Sequence, residues 1–205
     1  QTDLAGNVSA PSAAFTFVQD TVVPTIALTS NVTSLHSGQT ATVTFTLSEA
    51  ATDFDINDIV VTGGTLSNFT GSGTSYTATF TPDASSTADG TIRVDSSRFT
   101  DAAGNANTDG TDSNNALTFS IDTAIPVAPT LSLATDSGSS NTDKLTNVGT
   151  LSLSGVETDA VVEYSINGID WTSSFTPVEG TNTVYVRQTD LAGNVSAPSA
   201  AFTFV

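Results

Sequence analysis

Eighteen residues of this chain occur twice. Residues 1–18 read QTDLAGNVSAPSAAFTFV, and residues 188–205 repeat them without a difference, 187 positions further on. That offset is too long for one solenoid repeat and fits small domains in a row that close with the same piece of chain. Weaker echoes lie between. Asp20-Thr21-Val22-Val23-Pro24 returns as Asp122-Thr123-Ala124-Ile125-Pro126, and Thr100-Asp101-Ala102-Ala103-Gly104-Asn105 returns as Thr189-Asp190-Leu191-Ala192-Gly193-Asn194. These signals alternate as D-x-x-G-N, D-T-x-x-P, D-x-x-G-N, D-T-x-x-P, D-x-x-G-N. They divide the chain into 1–18, the last loop and strand of a preceding repeat; 19–122, a first domain; and 123–205, a related second domain. The expectation is a segment of a tandem array.

Between the punctuation the pattern has period 2. Ala41, Val43, Phe45 and Leu47 alternate with Thr42, Thr44, Thr46 and Ser48, giving a strand with one apolar and one hydroxylated face. Tyr76, Ala78 and Phe80 alternate in the same way, as do Leu117, Phe119 and Ile121. In the second domain Leu151 and Leu153, then Val162, Tyr164 and Ile166, then Val184 and Val186, mark further strands. No long stretch carries a 3.6 period. Roughly seven short strands per domain predict an all-β chain of two tandem immunoglobulin-like β-sandwiches. Strands of alternating direction enter at one pole and leave at the other, so the domains string into an elongated rod. Pro24 and Pro126 stiffen the joints.

The formal charge is −17, with only four Lys and Arg, one His and no Cys. Four cationic side chains cannot neutralise a phosphate backbone, so nucleic acid is excluded as a partner, and no apolar run is long enough for membrane insertion. Thiolate chemistry is absent. His36, in the turn SLHSGQ, has no base or nucleophile signature around it, and nothing sets two carboxylates at catalytic spacing, so the expectation is no enzyme. Trp171 reads as a core residue of the third-strand region.

Carboxylates are therefore the abundant chemistry, and the topology gathers them. The linker, the loop between second and third strands and the D-x-x-G-N loop share the entry pole. This places Asp20, Glu49, Asp101 and Asn105 together in the first domain, and Asp122, Glu157, Asp190 and Asn194 in the second. Oxygen donors without His or Cys select a hard cation, and Ca2+ accepts six to eight oxygens in irregular geometry. The alternative for each motif is an ordinary Asx-type turn. Weaker candidates are Asp3 and Asn7 in the first D-x-x-G-N copy, Asp136 and Asp143 in a Ser/Asp loop, and Asp83 or Asp89 at the end of the preceding domain. Asp53, Asp55 and Asp58 lack the EF-hand pattern.

The segments DTVVPTIALTS, TVTFTLSEA and FTDAAGNAN of the first domain, with VEYSINGIDW and VRQTDLAGNVSAP of the second, resemble the bacterial immunoglobulin-like repeats of giant RTX and biofilm-type adhesins. The resemblance implies type I secretion by a Gram-negative bacterium, a place on the extracellular cell surface, and calcium at domain junctions that rigidifies an extender supporting adhesion and biofilm formation. The partners it implies are neighbouring Ig-like repeats of the same chain and calcium ions, with the distal receptor bound elsewhere. A ligand- or glycan-binding module is the alternative. Residues 1–18, identical to 188–205, supply a last strand without its sheet, so they either hang loose or compete for the same slot in a neighbouring copy.

Overall fold

The computed structural model describes residues 1–205, and its regular structure is β apart from two single 3-10 turns, Ile56–Asp58 and Ser113–Asn115. Eight strands lie between residues 26 and 122: β1 (Ile26–Ser30), β2 (Ser34–His36), β3 (Ala41–Leu47), β4 (Ile59–Thr62), β5 (Gly64–Ser72), β6 (Ser75–Pro82), β7 (Gly90–Val94) and β8 (Ala116–Asp122). They form two four-stranded sheets, ordered β1-β3-β6-β5 and β2-β8-β7-β4. β2 runs parallel to β8, with Leu35 opposite Ile121, and the remaining pairs are antiparallel.

The period-2 pattern decides which faces meet. Ala41, Val43, Phe45 and Leu47 are buried on β3 while Thr42 and Thr46 face solvent. Tyr76, Ala78 and Phe80 on β6 point into the same space, as do Phe119 and Ile121 on β8. Seventeen residues make one core, closed across the sheets by Phe80 stacking on Phe119 at 4.7 Å. At the other end Phe54 meets Phe45, Phe69, Tyr76 and Phe99 edge-on at 5.1–5.8 Å, within the favourable range for T-shaped pairs. The acidic run that carries Phe54 is structural. Asp53 accepts from the Thr100 amide and hydroxyl, and Asp55 and Asp58 cap the 3-10 turn reciprocally.

The second half is built more thinly. β9 (Thr130–Leu133) pairs only with β10 (Leu151–Ser154), while β11 (Val161–Ser165), β12 (Asn182–Thr189) and β13 (Phe202–Phe204) form a three-stranded sheet. No sheet mixes strands from the two halves. The expected seven strands become eight in the first half, because 34–36 pairs with β8 rather than staying in a turn, and five in the second. Residues 172–178 supply a single bridge, Thr172 to Tyr164. The Asn182 side chain there accepts from the Val178 amide and donates to the Val178 and Gly180 carbonyls, filling backbone positions that a ladder would use.

Two side chains also depart from the sequence reading. Ile166 lies in the turn after β11 and is 70% exposed. Trp171 is half-buried rather than core, with the Arg187 guanidinium 4.4 Å above its ring and Glu163 holding that guanidinium at 2.8 Å. Residues 1–18 reach no sheet. They form one bridge, Thr2 to Val8, and leave Phe15 and Phe17 exposed and stacked on each other.

Phe119→Ala removes a fully buried ring and leaves a cavity, so it should destabilise the first half by about 3–5 kcal/mol. Phe17→Ala, at a ring 75% exposed, should leave the melting temperature unchanged; thermal denaturation of the two variants side by side checks both.

Candidate metal centre

The D-x-x-G-N turn has the same construction at all three places. Asp101 Oδ1 accepts from the amides of Ala103 (2.8 Å) and Asn105 (2.9 Å), and Oδ2 accepts from Asn105 Nδ2 (2.9 Å). Asp190 Oδ1 takes the amides of Gly193 and Asn194, each at 2.8 Å, and its Oδ2 takes Asn194 Nδ2 at 2.8 Å. Asp3 repeats the pattern with Ala5 and Asn7. The glycine carries φ of +87° at Gly6, +89° at Gly104 and +102° at Gly193, a region that disfavours any side chain. The Asn side-chain bond, with the turn's amides, holds Asp3 and Asp101 below the usual carboxylate range. At Asp190 burial pushes upward, but the Asn194 side chain and the turn amides together outweigh it and the carboxyl lies low.

In the first half this turn meets two further carboxylates. Asp20 precedes β1, Glu49 follows β3 and Asp101 follows β7, and their oxygens lie within 4.8 Å of one another. Backbone bonds fix the approach. Ser48 and Thr25 exchange hydrogen bonds that anchor the linker, with Pro24 buried beside them. The Ala51–Asp101 bridge and the Thr52 amide to the Thr100 carbonyl (3.0 Å) tie the Glu49 loop to the turn. Asn105 Nδ2 also donates to the Asp20 carbonyl at 3.3 Å. Glu49 is pushed up from its ordinary value by desolvation first, then by the charges of Asp20 and Asp101. Three crowded carboxylates and an amide side chain, all hard oxygen donors, suit a divalent cation of the calcium type.

The second set is arranged differently. Asn194 is 2% exposed. Its Nδ2 donates to the Asp122 carbonyl (3.0 Å) and to Asp190, and its Oδ1 accepts the Ser37 amide of the first half at 2.7 Å. The His36 ring lies against Gly193, where an added Cβ would meet it at 3.5 Å. Glu157 is exposed and does not join Asp122 and Asp190 in a three-carboxylate group; its backbone amide donates to Gln188 Oε1 at 2.8 Å.

Of the remaining candidates, Asp136 accepts the Lys144 amide through Oδ2 while its buried Oδ1 has no partner, and Asp143 accepts the Leu145 amide. Asp3 and Asn7 stand in an exposed turn, and Asp89 is exposed in the β6–β7 loop. Asp83 contributes its carbonyl, which accepts Thr123 Oγ1 at 2.6 Å.

Sequence reasoning passed over three residues, two of which hold the halves together and one of which fixes the linker within the second half. Thr123, 4% exposed, donates to the Asp83 carbonyl and exchanges bonds with the Ser86 backbone. Its signal was the Thr shared by both D-T-x-x-P copies. Gln188, fully buried, donates to the carbonyls of Val127 (2.6 Å) and Gly155 (3.0 Å), tying the linker to the end of β10. It occupies the place that Phe99 has in FTDAAGN. Ser37 acts through its backbone amide and leaves no trace in residue type.

Residues 20–118 match the family model described as Bacterial Ig-like domain. No curated protein matches the chain. Among solved structures, the Yersinia pseudotuberculosis adhesin InvE is similar at 15% identity and a TM-score of 0.35, over 87% of this chain and 58% of that one.

The raised Glu49 carboxyl means that the folded state holds this proton more tightly than the unfolded chain does. Its contribution to stability is present below the ordinary value of 4.5 and is lost as pH rises through the raised folded value. In divalent-free buffer the melting temperature of Glu49→Gln should therefore lack the decline that the parent chain shows as pH climbs above 4.5. Parallel melts across that range check it.

Proposed function

Starting from residues 20–118 as a bacterial Ig-like domain, we propose that the chain is a pair of extender repeats from a bacterial cell-surface adhesin, a spacer that holds a distal binding domain away from the cell. The observation that carries this reading is the convergence of Asp20, from the linker, with Glu49 and Asp101, from two loops of the following sheets, within 4.8 Å. A Ca2+ ion there joins the linker to the domain that it enters and turns a hinge into a stiff joint. Asp20, Glu49 and Asp101 supply the charge, and Asn105, whose Nδ2 already fixes the turn to the Asp20 carbonyl, supplies a further oxygen. The ion's contribution is to offset the desolvation of Glu49 and the repulsion from Asp20 and Asp101 that together raise it.

Asp122, Asp190 and Asn194 are the corresponding groups of the next joint, where hydrogen bonds from Asn194 and Thr123 take over much of the fastening. The role is mechanical rather than catalytic, exercised outside the cell on the surface of a Gram-negative bacterium after type I secretion, in support of adhesion and biofilm formation. Neighbouring repeats are the partners. The sequence resemblance supports these finer assignments.

At calcium a thousandfold above its dissociation constant the gain is about 4 kcal/mol by mass action. Calcium should raise the melting temperature and sharpen the maximum dimension in small-angle scattering relative to EDTA. The triple variant Asp20→Asn, Glu49→Gln, Asp101→Asn should respond to neither. A parent chain with the same melt and the same scattering in calcium and in EDTA would sink the stiffening role.

A further inference from the structure

The carboxylates of Asp20, Glu49 and Asp101 come from three segments, and each pair of segments is tied by hydrogen bonds. Thr25 and Ser48 tie the linker to the Glu49 loop, and the Thr52 amide ties that loop to the D-x-x-G-N turn through the Thr100 carbonyl. The third tie, from the linker to the turn, runs through a buried carboxylate. Asp109, 7% exposed, accepts the Ile26 amide on Oδ2 at 2.6 Å and Asn107 Nδ2 on Oδ1 at 3.1 Å. Ile26 is the first residue of β1, an edge of its sheet, and follows the linker that carries Asp20. Asn107, fully buried, stands just beyond Asn105, and its Oδ1 accepts the amides of Arg98 (2.8 Å) and Phe99 (3.3 Å). Gly110 lies so close to the Asp95–Ser96 backbone that no side chain fits there, which seats the chain beside Asp109.

We propose that Asp109 is a positioning residue for the cation held by Asp20, Glu49 and Asp101, setting the distance between the linker and the Asp101 turn before the ion arrives. The inference rests on the calcium reading of that group and extends it to a residue whose own oxygens are both taken. Asp109 belongs to no ion pair, and a buried carboxylate without a cation is costly. Two donors converge on it, and neither can turn away. The Arg98 and Phe99 amides hold the Asn107 side chain in one orientation, and the Ile26 amide is fixed by β1. A carboxylate offers an acceptor to each, whereas an amide side chain would set its NH2 against one of them. The second half supplies the contrast. Aligned on the D-x-x-G-N turn, Ser196 and Pro198 stand where the first half has Asn107 and Asp109, and there Glu157 stays apart from Asp122 and Asp190. Groups that hold metal ligands from behind are worth about 10–100-fold in affinity.

The test compares the full parent chain with Asp109→Asn and with Val43→Ala, a core change at the end of β1 away from Ile26, opposite Ser30. Calcium is titrated calorimetrically at low and high KCl, and the binding of interest is the part that the triple variant of Asp20, Glu49 and Asp101 abolishes. Terbium luminescence lifetimes in H2O and D2O count the waters left on the bound ion. Asp109→Asn should raise the calcium dissociation constant about tenfold or more at both salt concentrations, and terbium should gain bound water. Val43→Ala should lower the melting temperature in EDTA while leaving affinity and water count at the parent values. Equal affinity and water count in Asp109→Asn and the parent would overturn the positioning role. So would a loss that high salt removes, which marks a distant charge alone, or an equal loss in Val43→Ala, which marks general destabilisation. A parent chain that binds neither calcium nor terbium would instead overturn the calcium reading itself, and this inference with it.

Discussion

The carboxylate of the D-x-x-G-N turn, closed by its own backbone amides and the Asn side chain, is the interaction on which the rest depends. It forms at Asp101 and Asp190, inside built sheets, and equally at Asp3, where no sheet supports it. The shape is thus a property of five residues. Once formed, it presents the Asn side chain to whatever arrives at that pole. Asn105 catches the Asp20 carbonyl, and Asn194 catches the Asp122 carbonyl together with the Ser37 amide. A local ring of hydrogen bonds becomes the latch for a long-range contact.

The strand that follows the turn behaves in the opposite way. Residues 202–204 are β13 with Phe204 buried, while the same letters at 15–17 pair with nothing and expose both rings. A strand contributes only half of its own ladder, so its state depends on which edge it meets. One sequence in two surroundings separates what the chain decides locally from what packing decides.

That division explains what could be read beforehand. The faces of β3, β6 and β8 were legible because period 2 translates directly into burial. Asp20, Glu49 and Asp101 were legible as neighbours because topology alone puts a linker and two loops at one pole. Glu157 was named on the same logic, yet the loop after β10 carries its side chain into solvent, held by an amide that binds Gln188. Near the start of β12 the Asn182 side chain takes up the backbone groups of Val178 and Gly180, a role that the alternation of apolar residues does not announce. Thr123 was signalled only by its recurrence in both D-T-x-x-P copies, and Ser37 acts through a backbone amide that donates to Asn194 Oδ1, which residue type does not announce.

The scarcity of basic side chains bears on resistance to proteolysis. A protease that cuts after Lys or Arg finds four sites in 205 residues. Arg93 and Arg187 lie within strands β7 and β12, the Arg98 amide is bound by Asn107, and the Lys144 amide by Asp136. The head groups are engaged as well: Arg93 and Arg98 with Asp95, Arg187 between Glu163 and Trp171, Lys144 over Phe202. Cleavage at any of them waits on local opening of ordered backbone, so a trypsin-like enzyme meets a surface that offers it almost nothing to hold.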